Sequence, residues 1–151
     1  MTSLKTGSRR VAALAALLGA ATLLAVSAAP AAATYGKCDR GDFCLFYDGF
    51  ENHGIYHFAG DDPNLLNDRF EAYNTDEIVG NNTLRAWNNG YAGALGDVLI
   101  YTTTGYRGAR DCIRTGDRGN LPENWWNSIE SYRWVSRSVC NANGVIDLQL
   151  P

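Results

Sequence analysis

Tyr47-Asp-Gly-Phe-Glu-Asn-His-Gly54 and Tyr101-Thr-Thr-Thr-Gly-Tyr-Arg-Gly108 decide how this protein reads. Each is an aromatic residue followed, after six positions, by a glycine. The aromatic ring can fold over a tight hairpin, and the glycine can take the positive φ that the bend beneath the ring needs. The landmarks continue in the same order beyond each glycine. Phe58 and Cys112 come four residues on. Asn64-Leu65 matches Asn120-Leu121, and Asn82-Thr-Leu-Arg-Ala-Trp87 matches Asn127-Ser-Ile-Glu-Ser-Tyr132. The first copy carries an insertion around Asn67 to Ile78. Two copies of one plan are therefore expected, one over about 43–90 and one over about 98–136.

Around these landmarks the sequence reads as short strands and turns. Phe43 to Tyr47, Ile55 to Phe58, Val98 to Tyr101 and Tyr132 to Val135 are rich in aromatic and β-branched residues, and Gly, Asn and Asp clusters bound them. Asn89-Gly90 and Asn143-Gly144 are turn dipeptides. No stretch carries a sustained helical stripe. A short helix is expected within Asn67 to Ile78, where Phe70 and Tyr73 are three apart. The fold class expected is all-β, in one small domain.

Residues 1–33 read as a signal peptide. Lys5, Arg9 and Arg10 precede an apolar run from Val11 to Ala29, and Ala31-Ala32-Ala33 offers a small-residue cleavage site. The mature domain would then be 34–151, about 118 residues. Three of the 13 basic residues lie in the leader and all 16 acidic ones follow it, so the mature part carries a formal charge of about −6. An acidic domain without a basic run is a poor nucleic-acid binder. No second apolar span follows the leader, so a secreted, extracellular protein with no membrane attachment after cleavage is expected, acting as a monomer.

All four cysteines lie after the cleavage site. An even count in an exported domain argues for disulfides, with three pairings possible. Asp39-Arg40-Gly41-Asp42-Phe43 is turn-rich and lets its flanking cysteines fold back on each other, which favours Cys38–Cys44 and Cys112–Cys140. Paired C-x-x-C or Cys/His clusters, as metal binding would need, are absent from the sequence.

The two aromatic-to-glycine stretches, with the matched landmarks that follow, resemble the βγ-crystallin Greek-key motif, present twice from about Phe43 to Trp134. The resemblance implies a two-sheet Greek-key β-sandwich. More narrowly, the protein is similar to the secreted bacterial proteinase-inhibitor family of streptomycete metalloproteinase-inhibitor type. The likeness is carried by Cys38 to Cys44 running into Leu45-Phe46-Tyr47, by Asn82 to Trp87 with Asn88-Asn89-Gly90, and by Tyr101 to Gly108. Cys112-Ile113 and Arg118-Gly119-Asn120-Leu121, leading to Ser131 and Trp134, complete it. It implies a peptidase inhibitor that presents a substrate-like loop to a secreted metalloendopeptidase and needs no cofactor. In that family the reactive bond follows a cysteine, with an apolar residue beyond it and a second cysteine a few residues on. The nearest match here is Cys112-Ile113, although its next cysteine is Cys140.

Two other readings belong to different classes. Many microbial crystallin-like domains bind calcium through two Asn/Asp, two variable positions, then Ser/Thr and Ser, supplying the oxygen ligands that a hard cation needs. Asn81-Asn82-Thr83-Leu84-Arg85-Ala86 keeps the first pair and loses the hydroxyls, while Asn127 and Ser131 survive in the second copy. That makes Asn82, Asn127, Glu130 and Ser131 the candidate ligands. Trp125, Trp126, Tyr91 and Tyr106 offer rings for stacking on sugars, as in a secreted antimicrobial or cell-wall-interacting module. An enzyme is not expected, because G-x-S-x-G, Walker and H-E-x-x-H motifs are missing. His53 and His57 share a strand face but supply only two ligands where zinc usually takes at least three from protein. Asp61-Asp62 before Pro63 reads as a turn.

Overall fold

In the computed structural model, residues 37–50, 53–71 and 76–150 are described; the leader expected over 1–33 lies outside them. Among the described residues, eight strands form two sheets. β1 (Phe43–Phe46), β2 (Ile55–Phe58), β3 (Arg85–Asn88) and β6 (Arg118–Asn120) make the first, in the order β2-β1-β3-β6. β4 (Asp97–Thr103), β5 (Arg107–Ile113), β7 (Ser131–Val135) and β8 (Ile146–Asp147) make the second, in the order β7-β4-β5-β8. All pairings are antiparallel except β5 with β8. One turn of α-helix, α1 (Arg137–Cys140), precedes β8. Among the described residues the protein is thus all-β apart from short helical turns.

Period-two alternation explains the layers. Phe43, Leu45 and Ala86 from the first sheet meet Val98, Ile100, Ile113 and Tyr132 from the second in one core, with the Phe43 and Tyr132 rings 4.7 Å apart. The alternate residues point outward and build a small second cluster on each sheet. Cys44, Phe46 and Ile55 gather with Cys38 outside the first sheet. Leu99, Tyr101, Cys112, Val135 and Cys140 gather outside the second. Each outer cluster holds one disulfide, Cys38–Cys44 and Cys112–Cys140, with Cα separations of 5.9 and 5.5 Å.

The two halves exchange their third segments. β6 belongs by sequence to the second half, yet it pairs with β3 in the first sheet. The corresponding segment of the first half bridges the other way: Asp62 and Tyr132 exchange both backbone hydrogen bonds at 2.9 Å. Further bonds pair corresponding residues of the two halves in the same way. Leu65 N donates to Glu130 O and Leu121 N to Leu84 O, both at 2.9 Å. Asn81 N donates to Ile129 O at 3.1 Å and Asn127 N to Thr83 O at 3.0 Å. Asn81 and Asn127 both have left-handed backbones, φ 63° and 51°. The sequence match of Asn82 with Asn127 therefore shifts by one residue. Asn81 is the structural counterpart, because the left-handed turn rather than the run of side-chain types fixes the correspondence.

The hairpin glycines meet the expected requirement, with φ +81° at Gly54 and +85° at Gly108. The short helix expected within Asn67 to Ile78 does not form in the described part of that segment. Leu65–Asn67 makes a single 3₁₀ turn capped by Asn64, and extended pairing follows. Arg69 bridges Ile78, and Glu71 bridges Ile55 at the free edge of β2. Phe70 is buried with its ring 5.7 Å from that of Tyr47. Edge pairing satisfies backbone groups that a helix would otherwise have satisfied internally. Tyr73 lies outside the described residues.

Candidate functional site

The structure places the Cys112-Ile113 bond, the expected reactive bond, inside the fold. Cys112 and Ile113 are the last residues of β5, opposite Leu99 and Val98, and both are fully buried. Ile113 points into the main core and Cys112 into the outer cluster. A residue inside a central strand has both backbone faces already paired, so this bond is not offered to a protease cleft.

Three of the four candidate calcium ligands use their side chains in hydrogen bonds within the fold. Ser131 Oγ donates to Thr103 O at 2.7 Å and accepts from Tyr106 N at 3.1 Å, closing the second hairpin. Glu130 accepts from Asn81 Nδ2 at 2.8 Å and from Thr104 N at 3.2 Å. Asn82 Nδ2 donates to Ile78 O, and Asn127 contributes its left-handed backbone. Among the described residues no group of three or more His, Cys, Asp or Glu residues is placed to hold a metal. His53 and His57 go to different partners, Asp48 and Asp42, each at 2.9 Å.

The aromatic set also disperses. Trp125 is buried and donates its indole N–H to Asp111 at 2.7 Å. Trp126 donates to Leu121 O at 2.6 Å, and Tyr106 packs on Tyr101 with ring centres 5.9 Å apart. Tyr91 is the most exposed of the four at 65%, and Trp126 follows at 45%.

Tyr91 belongs to the connection between the halves, and this connection is built as a presented loop. Its base is Asn88, the last residue of β3, which is fully buried. Asn88 Nδ2 donates to Gly96 O and to Ile113 O, both at 3.0 Å, while its Oδ1 accepts from Gly90 N at 3.0 Å. One amide group therefore ties both ends of the loop to the core. Thr115 Oγ1 adds a bond to Gly96 O at 2.5 Å. Asn89 then joins the loop to the Cys38–Cys44 ring. Its N donates to Asp42 O at 3.0 Å, its O accepts from Gly41 N at 2.9 Å, and its Nδ2 donates to Cys38 O at 3.1 Å.

Between these anchors Tyr91-Ala92-Gly93-Ala94-Leu95 is exposed along its whole length. Its ends carry the large apolar groups, Tyr91 and Leu95, the latter 64% exposed. Arg40 lies over the Tyr91 ring, 5.3 Å from its centre. Behind the loop is a cleft of about 400 Å³ bordered by Tyr91, Leu95, Trp134, Gly60 and Asp61. Trp134 Nε1 donates to Gly60 O at 3.2 Å, and Asp61 accepts from Trp134 N at 2.8 Å. The groups that border it are aromatic, aliphatic and charged.

Beside this wall sits a buried polar cluster that the sequence did not reveal. Tyr56 donates to Asp62, whose other oxygen accepts from Asn64 N at 2.9 Å. Asp68 faces the same group, and burial together with the Asp62 carboxylate pushes its carboxyl up to about 6. Burial pushes the Tyr56 and Tyr132 phenols well above their ordinary range. The group holds the Asp61–Asn64 segment against β7.

Of this site, sequence reasoning singled out Asn89-Gly90 as a turn and Tyr91 as a ring. It named Asn88 only within the family likeness, with no role, and missed Leu95. The available signal was a pair of large apolar residues bracketing Ala-Gly-Ala in the connection between two repeats, where neither residue can reach a core. Neither a family model nor a curated protein matches this sequence.

Proposed function

We propose that this protein is a secreted peptidase inhibitor, directed at metalloendopeptidases, and that it engages them with the Tyr91–Leu95 loop. The observation that carries this reading is the loop's construction: five exposed residues whose two ends are tied to one buried residue, Asn88, and to the Cys38–Cys44 ring. Such a segment loses little conformational freedom on binding, which is what a substrate-like inhibitor requires. Tyr91 and Leu95 are suited to apolar specificity pockets. Two disulfides are typical of exported proteins, and no helix among the described residues is long and apolar enough to cross a membrane.

The fold belongs to the same proposal. The exchange of β6 and of the Asp62 segment between sheets is the arrangement a crystallin-like pair of Greek keys would produce, and it supports the resemblance read from the sequence.

The test is inhibition of a thermolysin-like metalloendopeptidase by the mature protein, followed by peptide cleavage. Inhibition is expected at about micromolar protein or below, with a large loss in the Tyr91→Ala/Leu95→Ala double variant and a partial loss in Asn88→Ala. Absence of inhibition across several secreted metalloendopeptidases would sink the inhibitor reading. Inhibition unaffected by the double variant would sink the loop.

A further inference from the structure

Two Asn-Gly dipeptides occur in the sequence, Asn89-Gly90 and Asn143-Gly144, and the fold treats them oppositely. Asn-Gly is the pair most open to intramolecular attack, because glycine has no Cβ to shield its nitrogen and lets the backbone rotate into line. Whether attack occurs depends on what holds the amide and the nitrogen.

Asn89 is held at every point. Its Nδ2 is bound to Cys38 O, and its Oδ1 accepts from Arg40 Nη1 at 3.3 Å. The would-be nucleophile, Gly90 N, donates to Asn88 Oδ1. Gly90 is buried, and a Cβ there would stand 2.4 Å from the Trp134 ring, so the peptide cannot swing. Asn143 is the reverse. Residues 141–144 are all exposed. Val145 N donates to Ala142 O at 3.2 Å, closing a turn with Gly144 at φ +79°. That bond leaves the Gly144 nitrogen out of the turn. Among the described residues neither Gly144 N nor the Asn143 amide group has a hydrogen-bond partner, and the space around Gly144 is open.

We propose that Asn143 is a spontaneous deamidation site and that Asn89 is protected from the same reaction by the fold. The Gly144 nitrogen attacks Asn143 Cγ. A new N–Cγ bond forms as the Cγ–Nδ2 bond breaks, and the amide leaves as ammonia, taking up the proton lost by the Gly144 nitrogen. Water then adds to either carbonyl of the resulting succinimide and opens it to aspartate or isoaspartate. The product matters because of its neighbours. This turn links Cys140, which is bonded to Cys112, to β8. β8 is held by few bonds, among them Ile146 N to Asp111 and Leu148 N to Cys112 O, both at 2.8 Å. An isoaspartate adds one atom to the backbone just before that strand. The new carboxylate also falls in the stretch that carries Asn141 and Asp147, both partners of Arg114.

The experiment is to hold the folded, oxidised protein in mildly alkaline buffer at body temperature and map peptides by mass over weeks. The Asn143 peptide is expected to gain about one dalton and split into two chromatographic products, with equimolar ammonia released, while the Asn89 peptide stays unchanged. In reduced, denatured protein both should convert. Amide exchange at Leu148 should speed up in the aged sample, and Asn143→Gln should suppress both changes with an unaltered circular dichroism spectrum. An Asn143 peptide that keeps its mass while the denatured protein converts overturns the proposal, as does folded-state conversion of Asn89 at the Asn143 rate.

Discussion

At the scale of single residues, the glycine that ends the second landmark has a role that can be read in ångströms. A Cβ on Gly108 would stand 2.4 Å from Thr102 Oγ1 and 2.8 Å from Thr103 Oγ1, and its φ of +85° is strained for any other residue. Gly108→Val should cost about 2–4 kcal/mol, measured by urea unfolding; an unchanged midpoint would remove the hairpin argument. Asp68 gives a second prediction. Its folded-state carboxyl titrates near 6, above the ordinary range, so folding takes up a proton. That contribution to stability is complete below the unfolded carboxylate value of about 4 and is lost as pH rises through about 6. Asp68→Asn keeps a donor toward Asp62 and cannot ionise. It should gain stability relative to the natural protein as pH rises through this window, and parallel stability curves for the two proteins would contradict the raised Asp68 carboxyl. The glycine was legible because positive φ selects one residue type. The Asp62–Asp68 pair was not, since the spacing of two acids in a turn does not show whether they face each other.

At the scale of elements, legibility followed composition. β1, β2, β4 and β7 announce themselves by aromatic and β-branched residues, and their positions agree with the expected runs to within two residues. β5 is Arg-Gly-Ala-Arg-Asp-Cys-Ile, charged over its exposed first half. β6 is Arg-Gly-Asn, an edge strand whose backbone pairing needs no apolar residue. Neither carries a local signal, because tertiary pairing alone makes it a strand. The burial of Cys112-Ile113 was hidden for the same reason: the pair looks like a motif in the sequence, but β5 lies between β4 and β8. The disulfide pairing was readable from the turn-rich segment after Cys38. The two bridges close loops of different length, 6 and 28 residues apart in sequence. By loop-closure entropy, replacing Cys112 and Cys140 together by Ala should cost roughly 3–4 kcal/mol and replacing Cys38 and Cys44 roughly 2 kcal/mol. If Cys38–Cys44 chiefly braces the Tyr91–Leu95 loop, its removal should weaken inhibition more than its smaller stability cost suggests. Chemical denaturation beside inhibition of each double variant separates the two roles.

For the whole molecule, the exchanged segments decide how the fold comes apart. The first half by itself would lack β6, leaving the outer edge of β3 unpaired, and would expose Phe43, Leu45 and Ala86, whose partners are Val98, Ile100, Ile113 and Tyr132. The second half alone would lose the Asp62 bridge on β7 and the Phe43 ring against Tyr132. Each half has fewer than 70 residues and shares one core with the other, so neither is expected to fold independently. Their covalent link, however, runs through the exposed Tyr91–Leu95 loop, whose anchors lie on either side of it. A protein cut within Ala92–Ala94 should therefore stay folded as a two-piece complex. Fragments spanning 37–92 and 93–151 should each be disordered by circular dichroism alone and regain β structure when mixed under oxidising conditions. A first-half fragment that folds cooperatively without its partner would show that the sheets are independent units and that the exchange of strands is incidental to stability. The same cut tests the inhibitor reading from another side. If the loop acts through its rigidity, the nicked complex should keep its fold and lose most of its inhibition, and full inhibition by the nicked form would mean that the contact lies elsewhere on the surface.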